Sequence, residues 1–206
     1  MYFASDSLAT ETTHDAGYVN VDKTAPVITP SGAPTGWSNK NVTLSLLASD
    51  GLSGVAAKEY QIDANGWYPY TTALEIGGEG ATLVSYRAMD NVGNLSGVGT
   101  CTVKVDTEAP STSALYSVRV SRGHAAVFAF RVNDETSPKC DVVIRVRTLA
   151  GITRARWVVG RRAANKNQGY RHLVSLPRGK YRWFVYAKDL AGNRQTGLGY
   201  RTLVVR

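Results

Sequence analysis

Short runs of alternating apolar and polar residues, separated by turn signals, make up most of this chain. In Asn41-Val42-Thr43-Leu44-Ser45-Leu46, the three apolar residues fall on one face of an extended strand. The same alternation recurs within residues 58–62, 100–105, 128–132, 142–146 and 181–187. No window of helical periodicity accompanies these runs, so the pattern predicts strands throughout.

Turn residues divide the runs at regular intervals. Asn65-Gly66 is a strong hairpin signal directly before Trp67. Glycine-rich or proline-containing turns follow at residues 77–80 and 176–179. Many short strands with regular turns are typical of β-sandwiches. We therefore predict an all-β fold.

A repeat at a fixed spacing organises the chain. Val21-Asp22-Lys23-Thr24-Ala25-Pro26 recurs 84 residues later as Val105-Asp106-Thr107-Glu108-Ala109-Pro110. Residues 86–90 echo residues 2–6 at the same spacing. Self-similarity of this kind indicates a tandem array. We predict that residues 1–21 are the closing strands of a truncated repeat, followed by domains at 22–106 and 107–206, and that the chain is a piece of a longer protein.

Several motifs resemble one known family of repeats. The residues are Asp50-Gly51-Leu52-Ser53-Gly54-Val55, then 86–94 (Tyr-Arg-Ala-Met-Asp-Asn-Val-Gly-Asn) and the closing 105–110. They resemble bacterial Ig-like repeats of the OmpL47 type over residues 22–110. Residues 111–206 resemble a more divergent Ig-like domain through 179–183 and 187–193. The resemblance implies tandem Ig-like β-sandwiches with a partial N-terminal repeat.

The same resemblance implies a setting for the chain. Family members are typically parts of exported bacterial surface or secreted proteins, where they act as spacers, stalks or adhesive modules. The expected location is thus extracellular or on the cell surface. The expected partners are other domains of a longer surface protein or copies of the chain itself. The resemblance implies no reaction.

Aspartates recur at equivalent positions of the two repeats. In an Ig-like sandwich the incoming chain and the loops after the second and sixth strands share one pole. This would gather Asp22, Asp50 and Asp90 in the first repeat, and Asp106, Asp134 and Asp189 in the second. Close carboxylates repel one another unless a cation or hydrogen bonds offset the charge. The sequence leaves two interpretations open: Ca²⁺ sites at the domain junctions, or aspartates that cap turns through backbone hydrogen bonds. No cofactor is otherwise required.

Charge is divided unevenly along the 206 residues. The whole chain has 24 Lys and Arg against 16 Asp and Glu, a net of +8. Residues 1–107 hold five basic and eleven acidic side chains, a net charge of −6. Residues 108–206 hold nineteen basic and five acidic side chains, a net charge of +14. The second repeat offers candidates for binding a polyanion: Arg145, Arg147, Arg154, Arg156, Arg161, Arg162 and Arg171. Cell-wall glycan or another acidic polymer is one interpretation, and a solvated basic face is the other. No motif points to specific nucleic-acid recognition.

Other candidate chemistry is sparse. Trp67, Tyr68 and Tyr70 offer rings that could stack on sugars, although hairpin aromatics also commonly cover a core. Cys101 and Cys140 lie too far apart along their strands for a bridge, so we predict two separate thiols. No apolar run is long enough to span a membrane. No set of residues has the spacing of a catalytic triad or a metal-dependent active site, so we predict no enzyme and no catalytic residues.

Three functions remain from the sequence. The first is a structural or adhesive tandem segment of a bacterial surface protein. The second is an accessory module that binds glycan or an acidic polymer for an enzyme elsewhere. The third is a subunit that polymerises by strand complementation through residues 1–21, because orphan strands need a partner.

Overall fold

The computed structural model describes residue 17, residues 19–195 and residues 197–206, and this part of the chain consists of β-strands and connections without any helix. The strands before residue 106 are β1 (Val27–Ser31), β2 (Trp37–Ser38), β3 (Val42–Ser49), β4 (Val55–Ile62), β5 (Tyr68–Pro69), β6 (Leu74–Ile76), β7 (Gly80–Asp90) and β8 (Gly99–Val105). Those after it are β9 (Ser111–Ala114), β10 (Val118–Val120), β11 (His124–Asn133), β12 (Lys139–Thr148), β13 (Thr153–Ala163), β14 (Lys166–Val174), β15 (Gly179–Lys188) and β16 (Tyr200–Val205).

The strands form two sandwiches of identical topology. In the first, sheet β1-β3-β6 packs with sheet β2-β8-β7-β4-β5. In the second, the sheets are β9-β11-β14 and β10-β16-β15-β12-β13, which is the same order with eight added to every number. The predicted all-β fold of tandem Ig-like sandwiches is therefore confirmed. We call these sandwiches the first unit and the second unit.

The truncated repeat predicted at residues 1–21 lies mostly outside the described part of the chain. Gly17 and residues 19–21 are not in a strand, and the other residues of this segment lie outside the described part of the chain. The closing strands and strand complementation through them stay predictions.

Each unit has its own core, built by the alternation that the sequence displays. The first core is aliphatic and small: Val42, Leu44, Ile76, Val84, Val103 and Val105 are buried. The second contains three fully buried aromatic side chains, Phe128, Phe130 and Trp183. Phe128 meets Trp183 edge to face, with ring centroids 5.2 Å apart, a favoured geometry for aromatic pairs. Two separate cores indicate two units that can unfold separately.

The second and last strands of each unit pair in parallel. In the first unit, β2 pairs with β8 through Trp37↔Lys104 and Ser38↔Val105. In the second unit, β10 pairs with β16 over three residues. Two further bonds extend the second pairing: the N–H of Arg206 donates to the carbonyl of Val120 at 2.9 Å, and the N–H of Arg122 donates to that of Arg206 at 2.9 Å.

The polar segment 161–169 is largely strand, because β13 continues to Ala163 and β14 begins at Lys166. The chain crosses here from one sheet to the other, because β13 pairs with β12 and β14 pairs with β11. Asn165 makes the turn with a left-handed φ of 62°, which Asn tolerates better than most residues.

The two cores predict two thermal transitions in calorimetry. Leu44→Ala should destabilise only the first unit by about 2–5 kcal/mol, and Phe128→Ala only the second by about 3–5 kcal/mol, because each removes buried apolar volume. Each variant should shift one transition and leave the other in place. A single transition that both variants shift would contradict independent cores.

Candidate metal centres and binding faces

Three aspartates meet at one pole of each unit. Asp22 precedes β1, Asp50 follows β3 directly, and Asp90 ends β7. Each offers one carboxylate oxygen that lies within 4.8 Å of those of the other two. The equivalent elements of the second unit bring Asp106, Asp134 and Asp189 together within the same distance. We call these sets the first triad and the second triad.

Hydrogen bonds from the loops satisfy most of the first triad. Backbone N–H groups donate to its carboxylates: Thr24 and Ser53 to Asp22, Leu52 and Gly54 to Asp50, and Val92 and Asn94 to Asp90. The second oxygen of Asp90 also accepts a bond from the Asn94 side chain at 2.7 Å. These bonds are the turn-capping pattern expected of aspartate. Among the carboxylate oxygens of the first triad, only Oδ2 of Asp50 is buried without a hydrogen-bond donor from the described residues.

The pKa values of Asp22 and Asp90 follow from these bonds. The Ser53 side chain and the N–H of Thr24 lower the pKa of Asp22. Burial raises the pKa of Asp90, but the bonds from the side chain and backbone of Asn94 outweigh burial and leave it below its ordinary value. The first triad is thus largely stabilised as carboxylate by its own loops.

The second triad is more deeply buried and less satisfied. Asp106, Asp134 and Asp189 are 0%, 8% and 2% exposed. Their hydrogen-bond donors are the N–H groups of Thr136 and Ser137 to Asp134, those of Gly192 and Asn193 to Asp189, and the Ser137 hydroxyl to Asp106. Oδ1 of Asp106 and Oδ2 of Asp189 are buried without a partner among the described residues.

Burial dominates the electrostatics of the second triad. It raises the pKa of Asp106, and the neighbouring charges of Asp134 and Asp189 add to this rise against the bond from Ser137. Burial likewise raises the pKa of Asp134. In the described part of the chain the ion pairs are Arg87–Glu59 and Arg161–Asp141, so neither triad is neutralised by a basic side chain.

A buried thiol lies beside the second triad. Sγ of Cys140 is 3.9 Å from Oδ2 of Asp134. Burial, followed by the charges of the three aspartates, raises the pKa of Cys140 to about 12. Cys101 is half-buried on β8, and both cysteines are free, as the sequence predicted.

The seven candidate arginines do not form one patch. Arg145, Arg147, Arg154 and Arg156 lie on the outer face of the sheet that contains β12 and β13. Arg161 pairs with Asp141, with Nε 3.2 Å from Oδ1, and Arg162 donates to the carbonyl of Arg161. Arg171 lies on β14, in the opposite sheet. Sequence spacing cannot assign residues to the two sheets, and polyanion binding by these arginines stays a prediction.

Aromatic side chains hold several of these arginines in place. Arg145 lies over the ring of Tyr186 at 4.4 Å, and Arg147 lies over Phe184 at 5.0 Å. Arg147 also donates to the hydroxyl of Tyr186 at 2.6 Å. Stacked guanidinium groups keep their charge and lose part of their mobility. Beside them a groove of about 530 Å³ is lined by Arg145, Arg156, Tyr186, Lys188 and Arg194, with Asp141 as its one carboxylate.

The hairpin aromatics do not form an open platform. The Trp67 ring is covered by Arg87, whose guanidinium carbon is 4.1 Å from the ring centroid. Tyr70 packs edge to face on Tyr60 and accepts a hydrogen bond from the N–H of Leu46. Tyr68 is 50% exposed. Trp67 and Tyr70 are half-buried, and sugar stacking on these three rings stays a prediction.

Two asparagines contribute an interaction that the sequence reasoning missed. Nδ2 of Asn94 donates to the carbonyl oxygens of Asp22 and Thr24 at 3.2 and 3.5 Å. Nδ2 of Asn193 donates to those of Asp106 and Glu108 at 2.6 and 3.0 Å. Each asparagine thus clamps the incoming segment of its own unit. The repeated Gly93-Asn94 and Gly192-Asn193 pairs were the available signal.

Burial predicts unequal reactivity of the thiols. At pH 8, iodoacetamide should modify Cys101 of the folded chain well before Cys140, because Cys140 is fully buried and stays protonated. In denaturant both should react. Mass spectrometry of tryptic peptides measures the two extents, and early modification of Cys140 in the folded chain would contradict its placement.

No protein-family model and no curated protein sequence matches this chain. Among solved structures, it is similar to a tetra-tandem repeat in the extending region of a large adhesion protein, at 20% identity and a TM-score of 0.44, over 89% of this chain and 50% of that one. It is also similar to the FN1–FN3 domains of chicken CNTN1, at 16% identity and a TM-score of 0.38, over 99% of this chain and 74% of that one. The chain thus spans half the length of the first of these.

In the part of the chain described, no helix has the length and apolar character to cross a membrane.

Proposed function

We propose that this chain is a load-bearing tandem segment of a bacterial cell-surface or secreted protein, of the OmpL47 type of Ig-like repeat, without catalysis of its own. In this role it lies outside the cell or on its surface and connects other domains of a longer protein. The observation that carries the proposal is the parallel pairing that closes each unit.

Parallel pairing of the second and last strands resists tension along the chain. When a unit is pulled by its two ends and the load passes its first strand, the second and last strands are drawn in opposite directions along one another. The hydrogen bonds between them lie across the direction of pull and are loaded together, whereas an antiparallel hairpin would open one bond at a time. Both β2–β8 and β10–β16 have this arrangement. A closure of this kind suits a module that transmits force.

The connection between units supports the same role. The N–H of Asp106 donates to the carbonyl of Ser38 in the first unit at 2.8 Å, while its own carbonyl accepts from Asn193 in the second. The next residue, Thr107, donates its N–H to the carboxylate of Glu79 at 3.0 Å. No flexible linker therefore separates the two units, and tension passes from β8 into the second sandwich.

Single-molecule pulling tests the load-bearing role. We expect two discrete unfolding events at ~3.6 Å per residue: one releasing roughly 25–30 nm from the first unit (residues 22–106), and one releasing roughly 30–35 nm from the longer second unit (residues 107–206). Arg206→Pro should lower the force of one event, because proline cannot donate the bond to Val120. Arg206→Ala keeps the N–H and is the matched control. Extension without discrete events would contradict the proposal.

The basic groove supports a second candidate function, binding of an acidic polymer by the second unit. Four of its named lining side chains are cationic, and Tyr186 holds Arg145 in a fixed position. Fixed guanidinium groups suit phosphate or carboxylate groups spaced along a polymer. This candidate is compatible with a structural role, since it uses only the outer face of one sheet.

Polyglutamate is a suitable probe of this groove. Affinity should fall as salt rises, and the double variant Arg156→Ala/Arg194→Ala should weaken binding and make the salt dependence shallower, because fewer counterions are released. Arg171→Ala removes an exposed arginine from the opposite sheet and should have little effect. Equal losses in both variants would indicate attraction by overall charge and reject the groove as a site. Fluorescence anisotropy at several salt concentrations measures these affinities.

A further inference from the structure

The aspartates of the second triad use only some of their oxygens to hold the loops. Oδ1 of Asp134 and Oδ1 of Asp189 each accept two backbone N–H groups, and Oδ2 of Asp106 accepts the Ser137 hydroxyl. Oδ1 of Asp106 and Oδ2 of Asp189 are left buried without a donor from the described residues. Turn capping therefore accounts for part of this cluster and leaves two buried oxygens unexplained.

The charge of the second triad is also uncompensated. Three carboxylates within 4.8 Å of one another are nearly excluded from water, and the ion pairs of the described residues lie elsewhere. Buried charge without an opposite charge is strongly unfavourable. A divalent cation among the carboxylates would neutralise most of this charge and give the unpartnered oxygens a ligand.

We propose that Asp106, Asp134 and Asp189 bind one Ca²⁺ ion at the junction between the two units, and that this site binds Ca²⁺ more tightly than the first triad does. The donors are hard carboxylate oxygens, which Ca²⁺ prefers. Their separation fits the ~5 Å span of two oxygens on opposite sides of a Ca²⁺ ion, given Ca–O distances of about 2.3–2.6 Å. The nearby Cys140 is bonded to Asp134 as a thiol and is not a ligand.

The first triad is the weaker site for a geometric reason. Both oxygens of Asp22 and both of Asp90 accept hydrogen bonds from their own loops. Asp50 supplies the one buried oxygen without a described donor. A cation there would compete with bonds that are already made, and Asp22 and Asp50 are more exposed to water than the second triad. Both poles bring three aspartates together, and they differ in how many of the carboxylate oxygens accept hydrogen bonds from the protein.

The location of the second triad gives the ion a role in joining the units. Asp106 is bonded through its N–H to Ser38 of the first unit and carries its carboxylate into the second. An ion held by Asp134 and Asp189 therefore fixes the last residue of one sandwich on the pole of the next. The parallel closure of the second unit, β10–β16, involves none of these aspartates. The unfolding force of that unit in chelator therefore tests the mechanical role separately from Ca²⁺ binding.

Asp189→Asn in the full-length chain separates ion binding from turn capping. Asparagine keeps an oxygen for the N–H groups of Gly192 and Asn193 but removes the charge. In EDTA this variant should unfold at a higher temperature than the wild type, because repulsion with Asp106 and Asp134 is relieved. In Ca²⁺ the wild type should gain thermal stability and the variant should not. An exclusively capping role predicts that Ca²⁺ changes neither protein, and that result would overturn the proposal.

Matched variants identify the site. Asp141→Asn removes the same charge from an exposed ion pair with Arg161 and should keep the full Ca²⁺ response. Asp50→Asn should remove only the weaker binding step in calorimetric titration. Retention of the tighter step by Asp189→Asn, its loss in Asp50→Asn, or equal stabilisation by Mg²⁺ at the same concentration would each reject the assignment.

Alkylation of Cys140 provides a second readout that does not depend on global unfolding temperature. Because Cys140 contacts Asp134 beneath the site, Ca²⁺ should slow its modification by iodoacetamide in the wild type and not in Asp189→Asn. Cys101 lies in the first unit and should react at the same rate with or without Ca²⁺ in both proteins. Unchanged modification of Cys140 in the wild type on adding Ca²⁺ would count against the site.

Discussion

Asp106 belongs to both sandwiches at once, and the joining of the two units depends on this one residue. Its backbone extends the last strand of the first unit by a bond to Ser38, and its carboxylate is fully buried in the second unit. The Ser137 hydroxyl donates to this carboxylate and the Asn193 side chain donates to the Asp106 carbonyl, so both the side chain and the backbone of Asp106 are bonded to the second unit. The first residue of the connection is therefore held from both sides, which explains why a tandem chain can do without a linker.

Both units have three aspartates at one pole, although the two cores differ in composition. The first unit has an aliphatic core and a pole whose carboxylates are largely satisfied by the loops. The second has an aromatic core and a pole with unsatisfied buried oxygens. The larger core of the second unit provides apolar burial that can offset the unfavourable charge at its pole. The less stable arrangement of carboxylates thus occurs where the sandwich can best tolerate it.

The sequence predicted the features that depend on alternation and repetition. It did not predict the features that depend on which strands pair with one another. The inward residues of β3, β11, β12 and β15 follow from period-two alternation. The 84-residue spacing relates Asp22 to Asp106 and Asp50 to Asp134, and the matching motifs that contain Asp90 and Asp189 relate the third pair. The assignment of Arg171 required knowing that β14 pairs with β11. The difference between the two triads depends on individual hydrogen bonds of the loops, which no spacing rule specifies.

Stacking of arginines on aromatic rings of neighbouring strands also gives a structural role to part of the basic charge of the second unit. Arg145 and Arg147 on β12 lie over Tyr186 and Phe184 on β15, and Arg182 lies over Tyr200 on β16 at 4.7 Å. These contacts cover aromatic surface on the outer face of a sheet with charged groups that water can still solvate. Part of the arginine content is thus explained by protection of an exposed sheet, which also discourages edge and face association between copies. Stacking does not account for Arg156 and Arg194 of the groove, which are exposed and have no described aromatic partner.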